Sequence, residues 1–80
     1  MKTNNIKKIV LNLIVNITKS KKINNSTNLF KKNLLDSFLI IKLVLSLEKK
    51  FKIKLNINKI QTKDIETINK ITNLIKKLEN

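Results

Sequence analysis

Leu34-Leu35-Asp36-Ser37-Phe38-Leu39-Ile40-Ile41-Lys42-Leu43-Val44-Leu45-Ser46-Leu47-Glu48-Lys49-Lys50-Phe51 is the stretch on which the reading of this chain turns. Ile40, Leu43, Val44, Leu47 and Phe51 recur at i, i+3, i+4, i+7 and i+11, the spacing that gathers side chains on one face of an α-helix. Asp36 or Ser37 stands where an N-cap is needed, and Asp36 is read as filling it. A second apolar row, Phe38, Ile41 and Leu45, is turned roughly 130° from the first on a helical wheel. One core does not need both rows. Cover by the preceding loop, through Leu29 and Phe30, is weighed evenly against exposure for Ile41. Phe38 and Leu45 are read as a docking surface, because an exposed apolar patch on a small domain marks a partner or a ligand. Lys42 and Lys49 flank the row. Such a pair is ordinarily a solvated face, and only the neighbouring serine gives it a contact role.

Two further segments outside this stretch are helical in period. Ile6, Ile9, Val10, Leu13 and Ile17 repeat the same template, and Ile68, Ile71, Leu74, Ile75 and Leu78 define a last helix. Thr67 is suited to cap that last helix, with Lys76 and Lys77 favourably set against its negative end. From Thr18 to Leu35 runs a polar connection containing Asn24-Asn25-Ser26, with Ile23, Leu29 and Phe30 spaced to pin it onto the helices. Phe51, Ile53, Leu55 and Ile57 alternate like a strand. No second alternating run exists to pair with them, so a loop followed by a short helix near Ile57 to Thr62 is expected instead. The chain contains no glycine, so left-handed positions at helix ends are expected to fall to asparagine, with Asn33 and Asn56 as candidates. Neither an internal repeat nor a linker interrupts residues 1–80, which read as one domain.

Composition excludes several kinds of chemistry. With 80 residues the core is near the minimum for a stable domain. Zero cysteines and zero histidines remove disulfides and the common zinc arrangements, and leave a reducing, cytoplasmic setting as the default. They also leave Ser37 without a base to activate it, and the chain has only five carboxylates. Ser37 therefore reads as a point of attachment, and the protein as no enzyme. A net charge of +13, carried by 18 lysines, would ordinarily direct attention to nucleic acid or an anionic membrane. Yet the lysines are spread over every segment, and arginine, the residue best shaped for bidentate phosphate and guanine contacts, is absent. Lys, Asn and Ile make up 45 of the 80 residues while Ala, Gly, Pro and Arg are missing. That is the mark of codons rich in A and T, and compositional drift is weighted above a selected polyanion-binding surface. Lys2, Lys7 and Lys8 ahead of Ile9 to Ile17 imitate a secretory leader, but Asn12 and Asn16 break the apolar run and no cleavage site follows. Leu34 to Leu47 is too short to span a bilayer. No membrane insertion is expected.

The run Leu35-Asp36-Ser37-Phe38, then Leu43-Val44, Leu47-Glu48-Lys49-Lys50-Phe51 and Ile53, resembles the Asp-Ser-Leu helix of acyl carrier proteins, without a gap in register. Downstream, Asp64-Ile65-Glu66-Thr67-Ile68 with Ile71 and Ile75 is similar to the entry into their last helix. The Asp-Ser pair alone is a weak motif; with this spacing over some 40 residues it is a strong one. Residues 1–33 agree only in pattern. The resemblance implies an all-α fold, a small four-helix bundle of acyl-carrier type with a long loop between helices one and two and a short third helix. It also implies that Ser37 receives 4′-phosphopantetheine from coenzyme A, attached covalently by a phosphopantetheinyl transferase, and that acyl groups ride on the arm as thioesters. Acyltransferase, ketosynthase or adenylating ligase partners would then dock on a monomer around Asp36, Phe38, Ile41, Lys42, Leu45 and Glu48.

Departures from the family pattern bear on those partners. Family members are typically acidic, whereas Leu39, Lys42 and Lys49 stand where an acid is common, leaving only Asp36 and Glu48. Asn33 stands where a glycine often precedes the Asp-Ser pair. Fatty-acid or polyketide assembly is the leading expectation, and an aminoacyl, D-alanyl or peptidyl carrier is the nearest rival. A small basic protein binding nucleic acid without sequence preference is the rival from another class, and a carrier fold without an arm is a third; no specific nucleic acid is expected.

Overall fold

The computed structural model describes residues 3–79 and is all-helical: α1 (Thr3–Thr18), α2 (Ser37–Phe51) and α3 (Ile68–Glu79), with one 3-10 turn at Thr62–Asp64. No strand forms among the described residues. Met1, Lys2 and Asn80, which belong to the single-domain reading of residues 1–80 and, for Lys2, to the rejected leader, lie outside the described residues.

α2 begins where the sequence places it, for a local reason. Asp36 is extended (φ −125°, ψ −179°), and its Oδ1 accepts the Leu39 N–H at 2.8 Å while its carbonyl accepts the Ile40 N–H at 2.8 Å. The helix ends at Lys52, which is left-handed (φ 55°, ψ 46°) and donates its N–H to the Glu48 carbonyl. Asn33 also adopts positive φ (57°), but in a turn and at no helix end, and Asn56 does not; among the described residues the left-handed positions at helix ends are Lys19 (61°) and Lys52, so they fall to lysine and not, as expected, to asparagine. In Asn56 the side chain accepts the Asn58 N–H at 3.0 Å instead, closing an Asx turn. Any L-residue can enter the left-handed region at roughly 1–2 kcal/mol, so with glycine absent the helix end, not the residue type, decides who pays that strain.

Ile6, Val10 and Ile14 of α1 are completely buried, and α1 packs against both α2 and α3. A helix lodged between two neighbours buries a broader arc than one stripe. Ile14, outside the expected stripe, lies in its centre, and Leu13 is only half-buried. α2 contributes Leu43, Val44, Leu47 and Phe51, with Ile40 half-buried; α3 contributes Ile68, Ile71, Thr72 and Ile75. Thr72 is the one polar residue buried as a whole among the described residues, and its hydroxyl is satisfied by donating to the Ile68 carbonyl at 2.8 Å, whereas Asn69 Oδ1 is buried without a hydrogen-bond partner.

The long connection between α1 and α2 is fastened to this core. Ile23, Leu29 and Leu35 are buried, and Phe30 packs partly buried beside them. The Leu29 N–H donates to the Glu66 carbonyl at 2.7 Å, its own carbonyl accepts the Leu34 and Leu35 N–H groups, and the Asn69 N–H reaches the Asn25 carbonyl at 3.1 Å. These bonds tie the residues ahead of α2 to the entrance of α3.

The expected fourth helix is not formed. Residues 57–59 make a turn, and the only helical geometry between α2 and α3 is the 3-10 turn Thr62–Asp64, closed by the Gln61 N–H on Asp64 Oδ2 at 3.0 Å. The strand-like alternation ahead of it has a simple origin. Phe51 is buried and Ile53 and Leu55 are half-buried while Lys52, Lys54 and Asn56 are exposed, because an extended loop lying along a core turns alternate side chains inward just as a strand does.

Candidate attachment and docking site

Ser37 is the first residue of α2 and is exposed, directly after the capping Asp36. The first turn of a helix carries N–H groups with no intrahelical acceptor. Asp36 takes that of Leu39, whereas those of Ser37 and Phe38 precede any carbonyl the helix can offer. They and the aligned peptide dipoles favour negative charge at this point. A phosphodiester on the Ser37 oxygen therefore fits: the hydroxyl faces solvent, and the electrostatics suit an anion. Histidine and cysteine are absent from the chain. Among the described residues no group of three or more Asp, Glu, His or Cys could hold a metal ion.

Following Ser37 along the helix, Phe38, Ile41 and Leu45 are 69%, 50% and 60% exposed. The loop does not cover Ile41, because Leu29 has gone wholly into the core and Phe30 packs against it. The row is a free apolar strip on the outward side of α2, opposite Leu43 and Leu47. Lys42 and Lys49 are exposed beside it, and Lys42 Nζ lies 5.9 Å from the centroid of the Phe38 ring, within cation–π reach. Asp36, Phe38, Ile41, Lys42 and Leu45 are thus all solvent-facing on one helix.

Glu48 stands apart from the other five. It is half-buried, and its Oε2 accepts the Leu55 N–H at 3.0 Å, while its carbonyl accepts the N–H groups of Lys52 and, at 3.3 Å, Ile53. Its carboxylate fastens the loop after α2 to the end of the helix. Sequence offers no signal for this contact, which joins residues seven apart across an irregular turn.

The class defined by these features is a small all-helical domain with a solvent-facing serine at the start of a helix that also bears an exposed apolar strip. No helix among the described residues is long and apolar enough to cross a membrane. No protein-family model matches the chain, and no curated protein matches its sequence.

Proposed function

We propose that the protein is a discrete acyl carrier protein, accepting 4′-phosphopantetheine on Ser37 and serving fatty-acid or polyketide synthesis as a substrate of other enzymes. The observation that carries this reading is Ser37 itself: exposed, at the first position of α2, behind the capping Asp36 and at the head of the exposed row Phe38, Ile41 and Leu45. The sequence resemblance supports it, with the 3-10 turn at Thr62–Asp64 taking the place of the short third helix of carrier bundles.

In the attachment step the Ser37 oxygen bonds to the phosphorus next to the pantetheine of coenzyme A. The phosphoanhydride bond there breaks and adenosine 3′,5′-bisphosphate leaves, while the hydroxyl proton passes to a base on the transferase. Asp36 fixes the start of α2 and so the direction of the hydroxyl. Phe38, Ile41 and Leu45 give the transferase and later partners an apolar strip to cover, with Lys42 and Lys49 along its edge. Once attached, the arm supplies a thiol on which acyl groups are carried as thioesters. The absence of cysteine from the chain is then no obstacle to acyl transfer.

Intact-mass measurement tests the proposal. The native chain and Ser37→Ala are incubated with coenzyme A and a broad-specificity phosphopantetheinyl transferase, beside a known carrier. The expected result is one added phosphopantetheine on the native chain and none on the variant. An unmodified native chain next to a modified control overturns the reading.

A further inference from the structure

A groove of about 550 Å³ lies between the 3-10 turn and the outer side of α3, well away in sequence from Ser37. Its walls include Lys63, Lys70, Lys76 and Lys77, with Asn73 between them and Asp64 as the one acid. Lys70, Asn73 and Lys77 recur at i, i+3 and i+7, which sets them on the side of α3 turned from Ile68, Ile71 and Ile75. Asp64 is engaged with the backbone, accepting the Gln61 N–H. An adjoining depression of about 210 Å³ shares Asp64 and Leu74 with the groove and adds Lys54 and Lys59. Six lysines therefore follow one concave track.

These lysines share a concave stretch of surface. Charges of one sign around a cleft with low-dielectric walls focus the field and concentrate the opposite ion, whereas the same charges on a convex surface are screened one by one. The three phenylalanines of the chain, Phe30, Phe38 and Phe51, line neither depression, so nothing there can stack on a base. The donors are ammonium groups and one carboxamide, which suit phosphate oxygens.

We infer that this groove binds a linear phosphate polyanion, held by Lys63, Lys70, Lys76 and Lys77 with Asn73 donating from the middle, without regard to any attached base. The site does not depend on Ser37, and it gives part of the +13 charge a place and a ligand class. A discrete polyphosphate and a nucleic-acid strand share that chemistry.

The test is an NMR titration of the full chain at low salt, with inorganic tripolyphosphate in one arm and octauridylate in the other. Saturable shifts at the amides of Lys63, Lys70, Asn73 and Lys77 are expected. Lys70→Gln/Lys77→Gln should weaken binding by about tenfold or more and, for the strand, reduce the logarithmic salt slope by about 1.4, at 0.7 for each lost contact. Lys21→Gln/Lys22→Gln, which removes the same charge from exposed loop positions, should change affinity far less. Groove binding of tripolyphosphate assigns a discrete polyphosphate; groove binding of octauridylate alone assigns a strand. Equal losses from the two lysine pairs, shifts spread over the lysines of α1 and the loop, or no saturable binding in either arm would overturn the inference. Ser37→Ala should bind as the native chain does, so the outcome stands apart from that of the mass-shift experiment.

Discussion

Leu29→Ala is the sharpest test of how this small domain holds together. Leu29 belongs to the irregular connection ahead of α2, yet its side chain has no exposed surface, whereas Phe38, inside a helix, is 69% exposed. Truncating a buried leucine to alanine costs about 2–5 kcal/mol, the spread depending on how far the cavity collapses. A domain of 80 residues has a total stability of only about 4–12 kcal/mol, at 0.05–0.15 kcal/mol per residue. One loop side chain therefore carries a large fraction of the whole. At about 4–8 °C per kcal/mol for a domain of this size, Tm should fall by at least about 8 °C. The Leu29 bonds to Glu66, Leu34 and Leu35 are made by the main chain, so alanine keeps them and the loss reports the side chain alone. Phe38→Ala, a change at an exposed position, should stay within about 0.5 kcal/mol. Thermal and urea unfolding followed by far-ultraviolet circular dichroism measures both. A Leu29→Ala melt no lower than that of Phe38→Ala would show that the connection lies outside the cooperative core, and the account of the loop would be wrong.

Three other substitutions follow from the local geometry. Asp36→Ala removes the acceptor for the Leu39 N–H and should cost about 1 kcal/mol in urea unfolding, while Asp36→Asn should be nearly neutral. Lys52→Gly relieves a left-handed lysine and should raise stability by about 0.5–1 kcal/mol, measured the same way; a lower urea midpoint would contradict the assigned C-cap. Glu48→Ala leaves the Leu55 N–H without its acceptor and should cost about 1–3 kcal/mol, whereas Glu48→Gln keeps an oxygen in place and should be milder. Hydrogen exchange at the Leu55 amide, faster in Glu48→Ala than in Glu48→Gln, checks that the contact itself is responsible.

The features legible in the sequence are those set by neighbours in the sequence. Asp36 caps α2 because a short acceptor precedes an apolar helix, and Leu43, Val44, Leu47 and Phe51 are buried because helical period places them together. The exposure of Phe38 and Leu45 follows from the same wheel; that of Ile41 turned on whether Leu29 and Phe30 of the loop covered it, which the wheel does not contain. What escaped was decided by distant parts of the chain. Ile14 is buried because α1 has two neighbours, a fact its own period does not contain. The segment from Phe51 to Leu55 turns alternate side chains toward the core, and that alternation is ambiguous between loop and strand until the surface beneath it is known. Lys52 turns left-handed because the helix stops there and no glycine is at hand. The exposure of Ser37, Phe38 and Leu45 was readable, but the engagement of Glu48 with Leu55 was not, since it depends on how the loop folds back.

The packing of α1 against α3 has a consequence for how the protein is made. Ile6, Val10 and Ile14 are translated early, yet they share a core with Ile68, Ile71 and Ile75, which are translated late. Until Ile68–Glu79 has left the ribosome, the nascent chain holds an apolar helix face with only part of its cover, the condition in which chaperones bind and aggregation begins. The Leu29–Glu66 bond obeys the same timetable, so the segment leading into Ser37 reaches its final place only when the last helix docks.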